Sequence, residues 1–584
     1  MSKKSILLSN IQKDEDFIEK MDSVFRDLRA DFDVSSLIHS KEKIQELLKV
    51  NVDTTGDTST LSTLSVASNG VITGLRGTGK SHLLLLARDK INSNKSSFCV
   101  YVNFKEHFNI GGESIVDERF YVWVILSQLK IQLCSIANID QQSTKGGLIQ
   151  AIVNFFDKGS KEKKNIEVEL IDIFNEIDIL ISHGEKEFRN FNIVKSLDVD
   201  SQHTDNFNTS VTLGAGKIDV TATTGNVYTE STKEGLEYTS NIFLDINTLK
   251  SLLVRIVETI KLKSIVFYYD EWSTRSRTEQ NKLSELIQAL STSPLYHWIA
   301  YIPYKSSLGV LELTADMPHT IDLDLKYIYE ENNNVCTEYF NKFANNRFSN
   351  VFGENIIQIQ DILSVTYIDM LIKASMGNTR DFGILLYKAW SEYKADHMAK
   401  KKCRIINKRH IVNAIKSLSR EKLNNLHSQE SNYAEKLWNE IIKFVGEKKH
   451  THFCIELNKD NQTYIKQDEI QALLYHRLIH LRKNDIPPKD GGEYRLSMYA
   501  VDLSTLHSRI YETKSATKQI KAVTDINIIH NQIRRYIFQL GGILNEFRVE
   551  QGRQMNCLNC KKTITSEMKF AWELGKCIYC GNPF

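Results

Sequence analysis

Eight consecutive residues constrain this chain more than any other stretch. Gly74-Leu75-Arg76-Gly77-Thr78-Gly79-Lys80-Ser81 satisfies G-x-x-x-x-G-K-[ST] at every fixed position. Val71-Ile72-Thr73 reads as a short strand before it, and residues 81–90 read as a helix after it. Glycines let successive backbone N–H groups wrap an anion without Cβ clashes, and the following helix aims its N-terminal dipole at the same point. Lys80 is then placed for the β- and γ-phosphates of a nucleotide and the Ser81 hydroxyl for Mg²⁺. The segment expected to hold ATP runs from Gly74 through His82.

Strand-like pieces at 98–103, 264–269, 297–302 and 319–324 alternate with helical patterns at 119–137, 165–186, 246–262 and 279–291. That order predicts a multidomain α/β protein built on a parallel sheet. The run Ile265-Val-Phe-Tyr-Tyr269 leads straight into Asp270 and Glu271, as a buried parallel strand with acids at its tip would. Asp270 is expected to hold Mg²⁺ through water, and Glu271 to polarise the attacking water as general base. A glutamate beside the metal-binding aspartate favours hydrolysis over mere binding. About 190 residues separate the two motifs, which implies a helical insertion at about 138–245. Within it, the Thr-, Gly-, Asn- and Ser-rich stretch 197–241 reads either as a mobile insertion with a weak hairpin or as a partner- or DNA-sensing loop. Residues 51–70, crowded with Ser and Thr, read as a loop.

The 74 Lys+Arg against 72 Asp+Glu leave no global field, so any nucleic-acid contact must come from local patches. No apolar run approaches a membrane span, and the apolar run near the start is too short for a signal peptide. A cytoplasmic protein with no membrane partner is expected. Residues 334–422 read almost entirely as helix. Residues 400–422 carry nine Lys/Arg (Lys400, Lys401, Lys402, Arg404, Lys408, Arg409, Lys416, Arg420, Lys422) and one acid, Glu421. Interleaved Ile and Leu fit a helix pinned on a core with its basic positions outward, either as a solvated face or as a phosphate-contacting stripe. Residues 432–511 look like a small α/β unit, with helices at 434–446 and 467–482 and strands at 451–457 and 494–501, in the manner of a winged helix bearing a two-stranded wing.

Cys557, Cys560, Cys577 and Cys580 give C-x₂-C-x₁₆-C-x₂-C in the last 28 residues, a zinc-site spacing. Four thiolates complete a tetrahedral shell, so the Zn²⁺ is expected to be structural. It would supply stability that so short a segment cannot draw from an apolar core.

On the segments GLRGTGKS, IVFYYDEW, WIAYIPYKSSL and GNTRDF, the chain over roughly residues 35–425 resembles AAA+ ATPases, and among them origin-recognition-complex-like ATPases such as occur in prophages and anti-phage defence loci. The resemblance implies a first sensor after the strand Trp298–Ile302. The usual Asn is absent there, Lys305 or Ser306 stands nearby, and the departure suits slow hydrolysis. It implies a second sensor at Arg380, opening a lid helix. It also implies an arginine finger acting across subunits, with Arg275, Arg277 and Arg347 as candidates, and a homo-oligomer in the ATP state. The expected organisation is N-terminal helices (1–50), an ATPase core (51–330), a helical lid (331–425), a winged helix (430–515), a helical connector (516–550) and a zinc ribbon (551–584). The expected function is an ATP-hydrolysing switch acting on nucleic acid, DNA foremost. The alternative is a signal-transducing ATPase whose partner is a protein effector. No acid cluster of a nuclease, deaminase or polymerase is visible.

Overall fold

The computed structural model describes residues 15–28, 41–52, 59–107, 117–136, 145–156, 163–199, 212–213, 216–217, 244–399, 406–489, 491–512, 519–566 and 568–584. Helices α1 (Glu15–Asp27), α2 (Lys41–Val50) and α3 (Ser59–Leu64) lead into β1 (Gly70–Thr73), α4 (Lys80–Ser93) and β2 (Phe98–Asn103). Next come α5 (Glu118–Ile136), α6 (Lys145–Phe156), α7 (Lys163–Val199) and a minimal hairpin of β3 (Thr212–Leu213) and β4 (Gly216–Lys217). The rest of 200–243 lies outside the described residues. The core closes with α8 (Ile246–Ile260), β5 (Ile265–Asp270), α9 (Arg277–Leu290), β6 (Leu295–Tyr301) and β7 (His319–Asp322).

Five strands form one parallel sheet in the order β2-β5-β6-β1-β7. β6 therefore separates the strand of the glycine-rich turn from the strand of the paired acids. Every residue of β1, β2 and β5 is buried, which is why these strands read as unbroken apolar runs. The insertion helices extend one face of the core: Leu170, Ile173 and Phe174 of α7 join Leu253 of α8 and Phe267 of β5. The other face packs Leu84 and Leu85 of α4 against Tyr268 and Trp298.

The expected loop at 51–70 contains α3. Its Leu64 is fully buried and its carbonyl accepts a 2.5 Å hydrogen bond from the Tyr268 hydroxyl. Docking of Leu64 on the core outweighs the weak helix propensity of the Ser and Thr around it.

The lid comprises α10 (Asn333–Phe352), α11 (Ile359–Ile362), α12 (Val365–Ser375), α13 (Thr379–Met398) and α14 (Lys408–Gln429). Helix α1 belongs to the same core. Phe25 stacks on Trp390 at 5.1 Å, and the Trp390 indole donates to Asp22 at 2.6 Å.

Beyond the lid lie α15 (Asn432–Lys448), β8 (His452–Glu456), α16 (Lys459–Tyr464), α17 (Asp468–Tyr475), β9 (Ile479–Ile486) and β10 (Leu496–Val501), with an antiparallel sheet ordered β8-β10-β9. The helix expected over 467–482 stops at Tyr475. Arg477 takes φ +57 and turns the chain into β9, so the sheet has three strands rather than two. The run Leu478-Ile479-His480-Leu481 satisfies either period, and only the turn decides between them. The chain ends with α18 (Ile526–Ile533), α19 (Leu540–Glu550), the hairpin β11 (Gln554–Asn556) and β12 (Thr563–Thr565), and α20 (Lys569–Leu574). No described helix is long and apolar enough to cross a membrane.

Candidate nucleotide site, its connections and a four-cysteine cluster

In open parallel α/β sheets, ligands bind beyond the carboxyl ends of the strands. There a cavity of about 410 Å³ is lined by Arg76, Gly77, Thr78, Gly79, Lys80, Ser81 and His82 on one side, Asp270 and Glu271 on another, and Arg380 from the lid. Gly77 and Gly79 have φ of +89 and +94. A Cβ at position 77 would stand 2.2 Å from the Arg380 Cβ, so glycine is required both for the turn and for the approach of the lid. Lys80 Nζ donates to the carbonyls of Gly74 at 2.5 Å and Leu75 at 3.1 Å. Burial lowers its pKa, while Asp270, Asp324 and Glu271 act in the opposite sense.

The buried Asp270 accepts the Tyr101 hydroxyl at 2.5 Å on one oxygen and the Glu271 N–H at 2.8 Å on the other. Burial, and then the Asp270 charge, push the Tyr101 phenol well above its ordinary pKa, so it stays a donor. Glu271 adopts φ +55, an uncommon conformation for a side chain of its kind. His82 Nε2 lies 3.3 Å from Asn51 Oδ1, and burial pushes its pKa down to about 3, so the ring is neutral. Tyr339 and Phe343 also line the cavity.

The lid rests on the glycine-rich turn through the start of α13. Asn378 Nδ2 donates to the Arg76 carbonyl at 3.0 Å, the Thr379 hydroxyl donates to the Gly77 carbonyl, and the Arg380 N–H donates to the same carbonyl at 3.2 Å. From the other side, both Asp324 oxygens accept the Leu75 N–H at 3.0 Å. Burial pushes the Asp324 pKa up to about 6, against the pull of that N–H and of Lys80. Tyr101 and Asp324 were not singled out from the sequence, and Asn378 and Thr379 entered only as neighbours of Arg380 in the GNTRDF segment. An acid just past the last strand of a parallel sheet was the signal available for Asp324.

Several expectations are corrected by position. Lys305 is not at the cavity: its Nζ sits 4.1 Å from the centre of the Tyr475 ring at the end of α17, and Arg76 lies over the same ring at 5.7 Å. Ser306 does not line the cavity either, where the lining comes from Ala300 of β6 and from Ile302 just past it. Arg275 is buried, donating to the Phe104 carbonyl at 2.7 Å beside Glu279. Arg347 is buried against Phe343 and lines its own protomer's cavity. Neither can reach a second subunit from there, whereas Arg277 is exposed.

The basic helix is only partly outward. Lys408, Arg409, Lys416 and Arg420 are exposed, but Lys422 is buried between Asp381 at 2.8 Å and Asp502 at 2.7 Å. Arg409 pairs with Asp396, and Lys416 with Glu512 at 2.9 Å. Lys400, Lys401, Lys402 and Arg404 lie outside the described residues.

At the C-terminal end, the thiols of Cys557, Cys560, Cys577 and Cys580 lie within 4.8 Å of one another. Cys557–Cys580 and Cys560–Cys577 sulfurs are 3.6 Å apart. That is far longer than a disulfide of about 2 Å and near the ~3.8 Å edge of a tetrahedron with ~2.3 Å Zn–S bonds. The donor set and its geometry fit Zn²⁺.

No family model matches this chain, and no curated protein does. Among solved structures, the chain is similar to the Orc1 protein of Aeropyrum pernix, solved in complex with DNA, at 11% identity and a TM-score of 0.30, covering 79% of this chain and 93% of that one. It is also similar to Cdc6p from Pyrobaculum aerophilum at 10% identity and a TM-score of 0.28, covering 78% and 91%. A likeness this loose carries no weight about chemistry, for which the residues themselves must serve.

Proposed function

We propose that this chain is a Mg²⁺-dependent ATPase of the AAA+ type that works as a slow nucleotide switch on nucleic acid. The observation that carries the reading is the meeting, in one cavity, of Lys80 and Ser81, the β5 acids Asp270 and Glu271, and the lid's Arg380. The loop N–H groups and Lys80 cradle the β- and γ-phosphates. Ser81 and Asp270 are the residues that would hold Mg²⁺, which when bound neutralises phosphate charge. Glu271 accepts a proton from the water that attacks the γ-phosphorus as the bond to the ADP oxygen breaks. No polar side chain from the end of β6 faces the cavity among the described residues, which supports slow turnover. Arg380 acts as the sensor through which the lid feels the γ-phosphate.

The order helix, strand, helix, helix, strand, strand over 432–501, with β10 between β8 and β9, supports a winged-helix reading, and with it a DNA contact. Internal pairing of Arg409, Lys416 and Lys422 favours the second reading, a protein partner, for the basic helix. The anti-phage setting, the cytoplasmic location and an ATP-state oligomer rest on the sequence.

Phosphate release and nucleotide binding by three proteins test the core of this proposal. Lys80→Ala should lose ATP binding. Glu271→Gln should bind ATP and not turn it over. Wild-type turnover in Glu271→Gln would remove that residue as the base, and wild-type affinity in Lys80→Ala would remove the loop from the mechanism.

A further inference from the structure

The two most exposed large apolar side chains among the described residues, Phe570 at 78% and Leu558 at 77%, both belong to the four-cysteine module, as do exposed Leu574, Ile578 and Tyr579. Such crowding is not a failure to fold inward. Ile564 is fully buried among the cysteines, Ala571 is buried, and Trp572 packs on Phe584 at 5.7 Å. Leu558 and Ile578 hold equivalent positions, each following the first cysteine of its pair. The 3.6 Å sulfur contacts draw together the two cysteine turns that carry Leu558, Ile578 and Tyr579. Lys562 Nζ stands 4.6 Å from the centre of the Tyr579 ring, and Lys561 precedes it. On α20, Phe570 and Leu574 are four residues apart and exposed together, next to Lys569.

We infer that this module binds single-stranded nucleic acid through its exposed rings and lysines, with Tyr579 on the cysteine turns and Phe570 on α20 stacking on bases and Lys561, Lys562 and Lys569 meeting phosphates. The inference deepens the nucleic-acid reading above by giving it a site. Lysine is depleted in the core of a protein–protein contact, whereas exposed rings interleaved with lysines are what an unpaired strand engages. A duplex keeps the faces of its bases stacked inside and offers the rings nothing to cover.

The test uses the full chain, with fluorescence anisotropy of a labelled oligothymidine strand and of a labelled duplex of equal length over a salt series. The variants are Tyr579→Ala, Phe570→Ala, Tyr579→Phe and the double change of Lys561 and Lys562 to Ala, each checked for zinc content equal to wild type. Each aromatic truncation should weaken strand binding by roughly 5- to 150-fold and leave duplex binding unchanged, and Tyr579→Phe should retain it. The lysine changes should flatten the log–log salt slope by about 0.7 per lysine. Strand affinity unchanged in all variants overturns the site while the nucleic-acid reading survives. Equal loss on strand and duplex also overturns it, in favour of a general charge contact. If the wild type binds neither form, the site and the nucleic-acid reading fall together, and the module's partner is a protein.

Discussion

Arg477 closes on Asp381 with two nitrogens, Nη2 at 2.9 Å and Nε at 3.1 Å. Asp381 is fully buried and follows directly on Arg380, at the start of the helix that rests on the glycine-rich turn. Arg477 is the turn between α17 and β9. The pair therefore ties the lid, at its point of contact with the glycine-rich turn, to the C-terminal unit. A second buried tie lies nearby, with Glu330 3.5 Å from both Arg482 and His452.

Removing one partner of a buried ion pair costs about 3–5 kcal/mol. Lys422 remains beside Asp381, so Arg477→Ala should fall near the low end. The expected outcome is an undocked C-terminal unit, read as new protease cleavage around residues 430–480, with ATP binding retained. Nucleic-acid affinity should lose its dependence on nucleotide. An unchanged cleavage pattern would show that the pair does not hold the units together.

The same cluster sets an acid limit. Burial works to raise Asp381, Asp502 and Glu330, but Arg477 and Lys422, Lys422 and His480, and Arg482 and His452 respectively outweigh it; Glu330 is held down at about 2. For acids with depressed folded values, stability is present above the unfolded pKa of about 4 and is lost as pH falls below it. Burial also lowers His480 to about 4, so the unfolded chain takes up a proton there from about pH 6.5 downward and the folded chain does not. The thermal midpoint should therefore decline gently below about pH 6.5 and steeply below about pH 4. Glu330→Gln should soften only the lower limb, and a midpoint flat from pH 7 to 4 would contradict the assignment.

Tyr101→Phe removes the 2.5 Å donor that pins Asp270. A hydrogen bond to a charged group contributes about 1.5–3 kcal/mol, so half-saturation by Mg²⁺ in the ATPase assay should rise by roughly 10- to 150-fold. ATP binding without Mg²⁺ should be unchanged. Equal losses with and without Mg²⁺ would instead point to a distorted strand.

The glycine-rich turn, the β5 acids and the cysteine module were legible because local chemistry dictates them: a turn that needs glycine, a strand buried on both faces, paired thiols. The contacts between units were not legible. Lys422 looked like one more outward cation, and only the fold sets it between Asp381 and Asp502. Lys305 follows β6 where a sensor was expected, but Tyr475, some 170 residues on, lies under its ammonium. Asp324 takes its meaning from an amide about 250 residues earlier in the chain. Such pairings carry no period and no spacing.

Cys557→Ser should bring zinc content toward zero, because three thiolates hold the ion poorly and the module has little apolar core to replace it. Its core consists of Ile564 and the cysteines themselves, with Trp572, Met568 and Phe584 packed around them. Proteolysis should trim the chain after about residue 550, with ATP turnover unchanged. Full zinc content in this variant would defeat the four-thiolate site.

Asp324 places a carboxylate directly on the glycine-rich turn. Both its oxygens accept the Leu75 N–H, and burial holds its pKa at about 6. Since the folded value lies above the unfolded value of about 3.9, the fold favours the protonated form. The associated stability is present below pH 3.9 and lost as pH rises through about 6. At pH 7.5 the ionised group opposes the arrival of phosphate charge. At ~10 Å and an effective dielectric of ~20 this costs about 1.7 kcal/mol. Asp324→Asn keeps an oxygen for the Leu75 N–H and removes the charge, so ATP affinity at pH 7.5 should rise by roughly 20-fold. The advantage should shrink as pH falls through 6, where the wild-type carboxyl protonates. The titration of ATP itself is common to both proteins and cancels in the ratio. Weaker binding by Asp324→Asn at every pH would mean that the loop needs the full carboxylate as its acceptor, and the charge would then be part of the cradle rather than an opponent of the ligand.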